Sequence, residues 1–261
     1  MAQLEIDRVT VRFGGLVALD AVDIAVEKGE FVSVIGPNGA GKTTLFNAIA
    51  GAVSPDSGSI RFEGRDVGGS PPARMSNLGV RRSFQVARPF SSMTVRENVL
   101  VAAAGKSILE SLRCLGLRNR DRELGSFVDG LLDELGLADS AGREAGELTM
   151  GELRRLEIAR ALAGRPSLVL LDEPAAGIGA DGIGPLAELI RSVHRRGLTV
   201  MLVEHYVGLA LALSDRIVVL DEGHVIAQGG PEAVRNDERV IAAYLGKEAP
   251  RPLAGLAGED R

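Results

Sequence analysis

The stretch that most constrains this chain is Gly36-Pro37-Asn38-Gly39-Ala40-Gly41-Lys42-Thr43-Thr44. It fits Gly, four residues, then Gly-Lys-Thr, the pattern of a phosphate-binding loop. Glycines let the backbone bend so that successive N–H groups converge into a nest for anionic oxygens. A helix starting near Gly41 adds its positive N-terminal end, roughly half an elementary charge. Lys42 has the reach for β- and γ-phosphates, and the Thr43 hydroxyl is a ligand for Mg²⁺. The flanks agree. Glu30-Phe31-Val32-Ser33-Val34-Ile35 reads as a buried parallel strand, and Leu45 to Ala50, stopped by Gly51, as a helix.

Composition narrows the class. The chain has 261 residues and 45% hydrophobic content, enough for one large domain or a core with a subdomain. Trp is absent, aromatics make up 3% and the net charge is −5, which argues against a general nucleic-acid role and leaves only a local basic patch open. Only Lys28, Lys42, Lys106 and Lys247 are lysines, so abundance does not explain the one in the loop. A single cysteine, Cys114, excludes an internal disulfide and a cysteine metal cluster, and fits a reducing compartment. Met1 to Asp7 shows neither a basic start nor an apolar run, so no secretory signal is expected. No apolar run approaches the roughly 18 residues that span a bilayer, so work at a membrane would take another chain for the span.

The N-terminal residues 4–28 alternate apolar and polar about the turn Gly14-Gly15 and read as β-structure. Phe13 is either an ordinary core aromatic or one that stacks on a base. Ser59 to Arg65 reads as a short strand. Pro71-Pro72 opens a helix to about Leu78, and Val80 to Gln85 is a strand ending in an amide. From about Arg88 the pattern turns helical. Thr94 and Glu97 form a capping box, and segments near 95–104, 107–117 and 122–136 have helical spacing. Leu148-Thr149-Met150-Gly151-Glu152 introduces a helix from Leu153 to about Ala163, with Leu153, Leu156, Ala159 and Ala163 on one face and Arg154, Arg155 and Glu157 elsewhere.

A second buried strand, Ser167 to Leu171, runs into Asp172-Glu173-Pro174. In an open α/β sheet, ligands gather at the C-terminal ends of strands. Asp172 is placed there to hold Mg²⁺ or its water, and Glu173 to orient and deprotonate a water. Ala175 to Gly184 reads as a mobile glycine-rich loop, followed by a helix from Pro185 to Arg196. The strand Leu198 to Glu204 delivers His205 to the same edge, in reach of a γ-phosphate. His194 and His224 fall in a helix and a hairpin. The hairpin turns about Asp221-Glu222-Gly223, two helices follow Pro231, and residues 247–261 form a flexible tail.

The ordered set of phosphate loop, Gln85, Leu148 to Glu152, Leu168 to Glu173 and His205 resembles the ATP-binding subunit of ABC transporters over about residues 4–246. That resemblance implies an α/β P-loop NTPase (RecA-like) core, about 4–89 and 161–246. It adds an N-terminal antiparallel β subdomain and an α-helical insertion of about 90–160. It implies ATP and Mg²⁺ as ligands. Phe13 becomes the adenine-stacking aromatic, and Gln85 the residue that touches Mg²⁺ or the attacking water. Thr149 and Gly151 become nucleotide contacts, Glu173 the catalytic base and His205 the switch histidine. The chain departs from the usual Leu-Ser-Gly-Gly-Gln at Thr149, Met150 and Glu152, and Glu152 brings a negative charge toward phosphate. It also has Ala176-Gly177-Ile178-Gly179 where the family has Ser-Ala-Leu-Asp.

A finer resemblance, to subunits that import branched-chain amino acids, rests on Arg12 to Leu16, Ser83-Phe84-Gln85, Met93 to Asn98, Glu152 to Arg160, Asp172 to Gly177 and Ala243-Tyr244-Leu245-Gly246. Relatives that import urea or amides share these. The resemblance implies a head-to-tail pair with a second ATP-binding subunit, a copy or a paralogue. Integral-membrane permease subunits and, indirectly, a substrate-binding protein complete the set. The site is then the cytoplasmic face of the inner membrane, with the chain held peripherally. A chromosome-organising ATPase would need a coiled-coil insert far longer than the 109 positions between Lys42 and Gly151. A translation-factor ATPase would carry two cassettes, and a small-molecule kinase would have no use for the signature.

Overall fold

The computed structural model describes residues 2–83, 89–104 and 120–245. Gln85, Cys114, the segment expected as helix at 107–117 and the tail 247–261 lie outside the described residues.

Two sheets form. In the first, β1 (Ala2–Phe13) pairs antiparallel with both β2 (Leu16–Glu27) and β4 (Ser57–Phe62), and β5 (Arg65–Asp66) closes the order β2-β1-β4-β5. The run expected as one strand from Ser59 to Arg65 therefore folds back on itself. Glu63 and Gly64 take φ of 49° and 74°, a two-residue hairpin turn.

The second sheet has the order β10-β9-β3-β8-β7-β6. Its strands are β3 (Phe31–Ile35), β6 (Val80–Arg82), β7 (Leu168–Asp172), β8 (Thr199–Val203), β9 (Arg216–Asp221) and β10 (His224–Gly229). Strands β6, β7, β8, β3 and β9 pair parallel, and β10 returns antiparallel. Every residue of β3, β7 and β8 is buried, as strands covered on both faces must be.

Side chains alternate between two apolar layers with the strand period of two. Val32 and Val34 of β3, Leu168 and Leu170 of β7, and Met201 and Val203 of β8 pack under the antiparallel sheet with Leu45, Phe46 and Ile49 of α1 (Lys42–Ile49). Phe31, Val169, Leu171, Val200 and Leu202 face the other way. That layer continues without a break into α3 (Val95–Ala104), α4 (Arg120–Glu134) and α5 (Met150–Ala163). A short α2 (Pro72–Asn77) starts at the expected proline pair.

Two helices depart from their sequence reading. The segment Ala175 to Gly184, expected as a mobile loop before a helix at Pro185, is helical from Ala180, as α6 (Ala180–His194) with Pro185 inside. Ile183, Leu186, Ala187, Ile190 and Val193 form one buried stripe that runs straight past the proline. Burial of that stripe outweighs the one backbone bond Pro185 gives up. In α5, Arg154 and Glu157 lie off the apolar face as expected, yet both are buried. The helix is covered on two sides, so its polar residues find partners inside: Arg154 Nη2 donates to the Ala176 carbonyl at 2.9 Å, and Arg160 Nη1 to Glu157 Oε1 at 2.6 Å. The chain ends its described part with α7 (Val207–Leu213), α8 (Pro231–Arg235) and α9 (Glu238–Leu245).

Candidate functional site

The C-terminal ends of β3, β7 and β8 are neighbours in one sheet, and each releases one candidate group. Gly36 follows β3, Glu173 follows β7, and His205 follows β8 after Glu204. The loop from Gly36 to Thr44 is pressed against its surroundings. Gly36 takes φ of 154°, and a Cβ on it would run into the Leu220 carbonyl oxygen of β9. Gly41 takes φ of 102°, and a Cβ on it would meet the Ala18 carbonyl oxygen of β2 at 2.5 Å. Both positions require glycine on conformation and on space. The β9–β10 turn fastens the loop from outside: Gly223 N donates to the Ala40 carbonyl at 3.1 Å, and Asp20 N to the Gly223 carbonyl at 2.9 Å. Pro37 and Ala40 are buried, while Asn38 and Gly39 are exposed.

Lys42 opens α1 and is 5% exposed. Its Nζ donates to the Gly36 carbonyl at 2.7 Å and the Pro37 carbonyl at 2.9 Å. Burial lowers its pKa, and the nearby carboxylates of Glu173 and Asp172 pull against that shift. Thr43, next on the first turn, is exposed, and Thr44 is half-buried.

Asp172 is 1% exposed. One oxygen, Oδ2, accepts from Arg82 Nη2 at 2.6 Å; the other, Oδ1, is buried and has no hydrogen-bond partner among the described residues. Arg82 also donates through Nη1 to Asn47 Oδ1 of α1 at 2.6 Å. One guanidinium thus joins β6, the end of β7 and the helix of the phosphate loop. Nothing in the sequence reading gave Arg82 a role. The signal was present, since an arginine in a strand whose neighbours are buried needs an anion.

Glu173 adopts φ of 48°, a left-handed conformation uncommon for a residue with a side chain. Its N–H donates to the Val203 carbonyl of β8 at 2.9 Å. Its Oε1 lies 2.8 Å from His205 Nε2. The His205 side chain is 45% exposed while that of Glu173 is 10% exposed, so the pair faces the open edge of the sheet. Backbone strain of this kind persists where surrounding structure over-determines it, commonly at functional sites. Phe13 is half-exposed at the tip of the β1–β2 hairpin, the same hairpin whose Ala18 touches Gly41.

The signature residues sit at the start of α5. Thr149 caps α5, and Gly151 lies in the helix's first turn. Among the described residues, no hydrogen bond joins either to the phosphate loop. The expected charge of Glu152 is absorbed locally. Thr149 N donates to Glu152 Oε2 at 2.9 Å and Thr149 Oγ1 to the same atom at 2.8 Å; Glu152 N returns a bond to Thr149 Oγ1 at 3.3 Å. Ser140 Oγ and Arg143 Nη1 hold Oε1 at 2.7 and 3.1 Å. These partners, Ser140 first and then the Thr149 backbone, lower the Glu152 pKa from 4.5 to about 2. The Thr149 hydroxyl proton is therefore committed to Glu152, and a phosphate contact through it requires the box to open. Since the folded-state pKa is depressed, the stabilisation is complete above about pH 4.5 and is lost as pH falls toward 2. Glu152→Ala should cost about 1 kcal/mol at neutral pH in urea unfolding and flatten the acid side of the stability profile.

Comparison with known proteins accounts for this geometry. A family model described as ABC transporter matches residues 19–176. A second, described as Branched-chain amino acid ATP-binding cassette transporter, matches residues 224–250. Within that second stretch, Tyr244 packs into the cluster that contains Ile35, the residue before Gly36. The chain is 42% identical to the high-affinity branched-chain amino acid transport ATP-binding protein BraF of Pseudomonas aeruginosa, over 94% of this chain and 98% of that one. It is 40% identical to the corresponding LivG protein of Escherichia coli K12, with the same coverage. A crystal structure of the ADP conformation of an ATP-binding cassette of an ABC transporter superposes with a TM-score of 0.84 at 33% identity, covering 95% of this chain and all of that one. A nucleotide-free cassette gives 0.82 at 34% identity. A glycine loop pressed into a parallel sheet edge, two carboxylates and a histidine beside it, and this likeness along nearly the whole chain have one explanation: the chain belongs to the ABC transporter family and is one of its ATP-hydrolysing cassettes.

Proposed function

We propose that this cassette drives import of branched-chain amino acids, as one of two ATP-binding subunits arranged head to tail against integral-membrane permease subunits. The observation that carries the substrate class is the 42% identity to BraF over 98% of that protein. Among the described residues, no helix is long and apolar enough to cross a membrane, in keeping with a peripheral subunit on the cytoplasmic face whose partners supply the span. The expected absence of a nucleic-acid partner rests on the net charge of −5 and the scarcity of aromatics.

In this reading the backbone N–H groups of Gly36 to Thr44 hold the phosphate oxygens, and Lys42 adds a charge at the β- and γ-phosphates. Phe13 stacks on the adenine. The residues present fit Mg²⁺: Asp172 Oδ1 is a buried acceptor without a partner among the described residues, and Thr43 offers a hydroxyl on the exposed first turn of α1. When bound, Mg²⁺ would neutralise charge on the transferring phosphoryl group. Gln85, expected beside the metal and the water, follows β6 but lies outside the described residues. Glu173 takes the proton of the attacking water, and His205, 2.8 Å from it, steadies the carboxylate and faces the γ-phosphate. Thr149 caps α5 and Gly151 lies in its first turn; among the described residues neither hydrogen-bonds to the chain's own phosphate loop, which suits a signature helix that serves the partner subunit's nucleotide. Its N-terminal dipole would then complete the partner's site only on association.

Two experiments test the reading. Reconstituted in proteoliposomes with its permease subunits and a binding protein, the cassette should support ATP-dependent uptake of labelled leucine. Transport of urea or an amide without leucine would overturn the amino-acid assignment. Lys42→Ala should weaken ATP affinity about tenfold to a hundredfold, the worth of a charge-assisted hydrogen bond. Titration with a fluorescent nucleotide reads it, and parental affinity would remove Lys42 from the site.

A further inference from the structure

One buried carboxylate at this edge has no part in the scheme above. Glu204 follows β8 and is 3% exposed. Its Oε1 accepts from Ala175 N at 2.9 Å. Its Oε2 accepts from His205 N at 3.1 Å and from Tyr206 N at 3.3 Å. Ala175 lies two residues beyond Glu173, in the loop that leaves β7. His205 and Tyr206 lie in the loop that leaves β8. A single carboxylate therefore grips the backbones of both loops from inside. On their open side the same two loops present Glu173 Oε1 and His205 Nε2, 2.8 Å apart.

Ordinary satisfaction of loop N–H groups does not call for an acid here. A hydroxyl or an amide carbonyl accepts such bonds without burying a charge, which is costly even when compensated. Burial raises the Glu204 carboxyl above its ordinary range; the Ala175 and Tyr206 N–H groups draw it back, and the Glu173 charge opposes them. What a carboxylate supplies and a hydroxyl does not is two acceptor oxygens at a fixed separation, one for each loop. The strained φ at Glu173 needs a rigid neighbour on its C-terminal side, and the bond to Ala175 provides one.

We propose that Glu204 is a positioning residue for ATP hydrolysis: by bridging Ala175 to His205 and Tyr206 it fixes the loop that carries Glu173 against the loop that carries His205. The inference rests on the reading of Glu173 and His205 given above. Glu204 touches neither nucleotide nor water in this scheme; it sets the distance between the groups that do. Misplacement of a catalytic group by about 1 Å can cost on the order of a hundredfold in rate.

The test is a mutant cycle on the full chain assembled with its permease subunits. Glu204→Gln keeps the shape and one acceptor, but its NH₂ confronts a backbone N–H, so one loop is released. Turnover should fall at least about tenfold with the ATP dissociation constant unchanged. His205→Ala should be slow as well, and Glu204→Gln combined with His205→Ala should lose less than the product of the two single losses, since both act partly through one arrangement. Glu204→Asp, which keeps the charge but shortens the reach, should reproduce the loss, and it carries the test if the Gln variant does not fold. Parental turnover in the folded variants overturns the proposal. So do losses that multiply in the double variant, or a fall in thermal midpoint with turnover per folded molecule intact. Parental turnover in Glu173→Gln would instead overturn the underlying assignment, and the two failures are thereby told apart.

Discussion

Replacing Glu173 by Gln is expected to slow ATP hydrolysis by roughly 10²–10⁴ while leaving ATP binding intact. The amide is isosteric, so the loop geometry and the bond from Glu173 N to the Val203 carbonyl persist. What disappears is the ability to take a proton from water. The contact with His205 Nε2 survives in form, with an amide in place of a carboxylate. Because nucleotide still binds and is not cleaved, the variant should accumulate as a nucleotide-bound dimer, visible by size-exclusion chromatography with ATP and absent with ADP. Single-turnover hydrolysis at the parental rate would remove Glu173 from the role of base. The size of the expected effect follows from placement. The carboxylate stands at the end of a fully buried strand, held in a left-handed conformation, with its side chain only 10% exposed.

The second large effect falls on stability. Arg82→Ala should destabilise the fold by about 3–5 kcal/mol, because it leaves the buried Asp172 carboxylate without its cation. Both Asp172 oxygens would then lack a partner among the described residues, since Oδ1 already has none there. Asn47 Oδ1 would lose its donor too, and the 6.0 Å stacking of the guanidinium over the Phe46 ring would go with it. The loss is read as a lower urea midpoint at an unchanged slope. Arg82→Lys should recover part of it, because one ammonium cannot span Asp172 and Asn47 in the way a forked guanidinium does. A variant as stable as the parent would mean that water reaches Asp172 and that the ion pair is dispensable.

Much of the site was legible one residue at a time. Gly36 to Thr44 has a pattern whose physical reason is local: each glycine permits a backbone turn, and Lys42 follows at a fixed offset. The carboxylates Asp172 and Glu173 were legible because an apolar run ended on them, and His205 because a third apolar run delivered it. Thr94 with Glu97 was legible as a capping box, and Thr94 N does donate to Glu97 Oε2 at 2.8 Å. These are short-range signals, contained within one element and its cap.

The misreadings share a cause. Pro185 looked like a helix start because proline favours first turns, yet the buried stripe from Ile183 to Val193 continued the helix through it. Arg154 lies off the apolar face of α5 and so was not expected in the core. It is buried because the loop beyond Glu173 lies over that side of the helix and offers the Ala176 carbonyl. Ser59 to Arg65 looked like one strand because only the neighbouring β1 decides where it turns back.

What the sequence by itself determined is the inventory: a phosphate loop on a strand–loop–helix unit, acids and a histidine at strand ends, and a helical stretch inserted between them. Tertiary structure alone decided who meets whom. The parallel order β3-β8-β7-β6 sets Glu173 against His205, Arg82 against Asp172, and Glu204 beneath both loops. Those partners lie many residues apart along the chain. Their pairing follows from burying both faces of one sheet, a collective outcome that no local pattern of residues encodes.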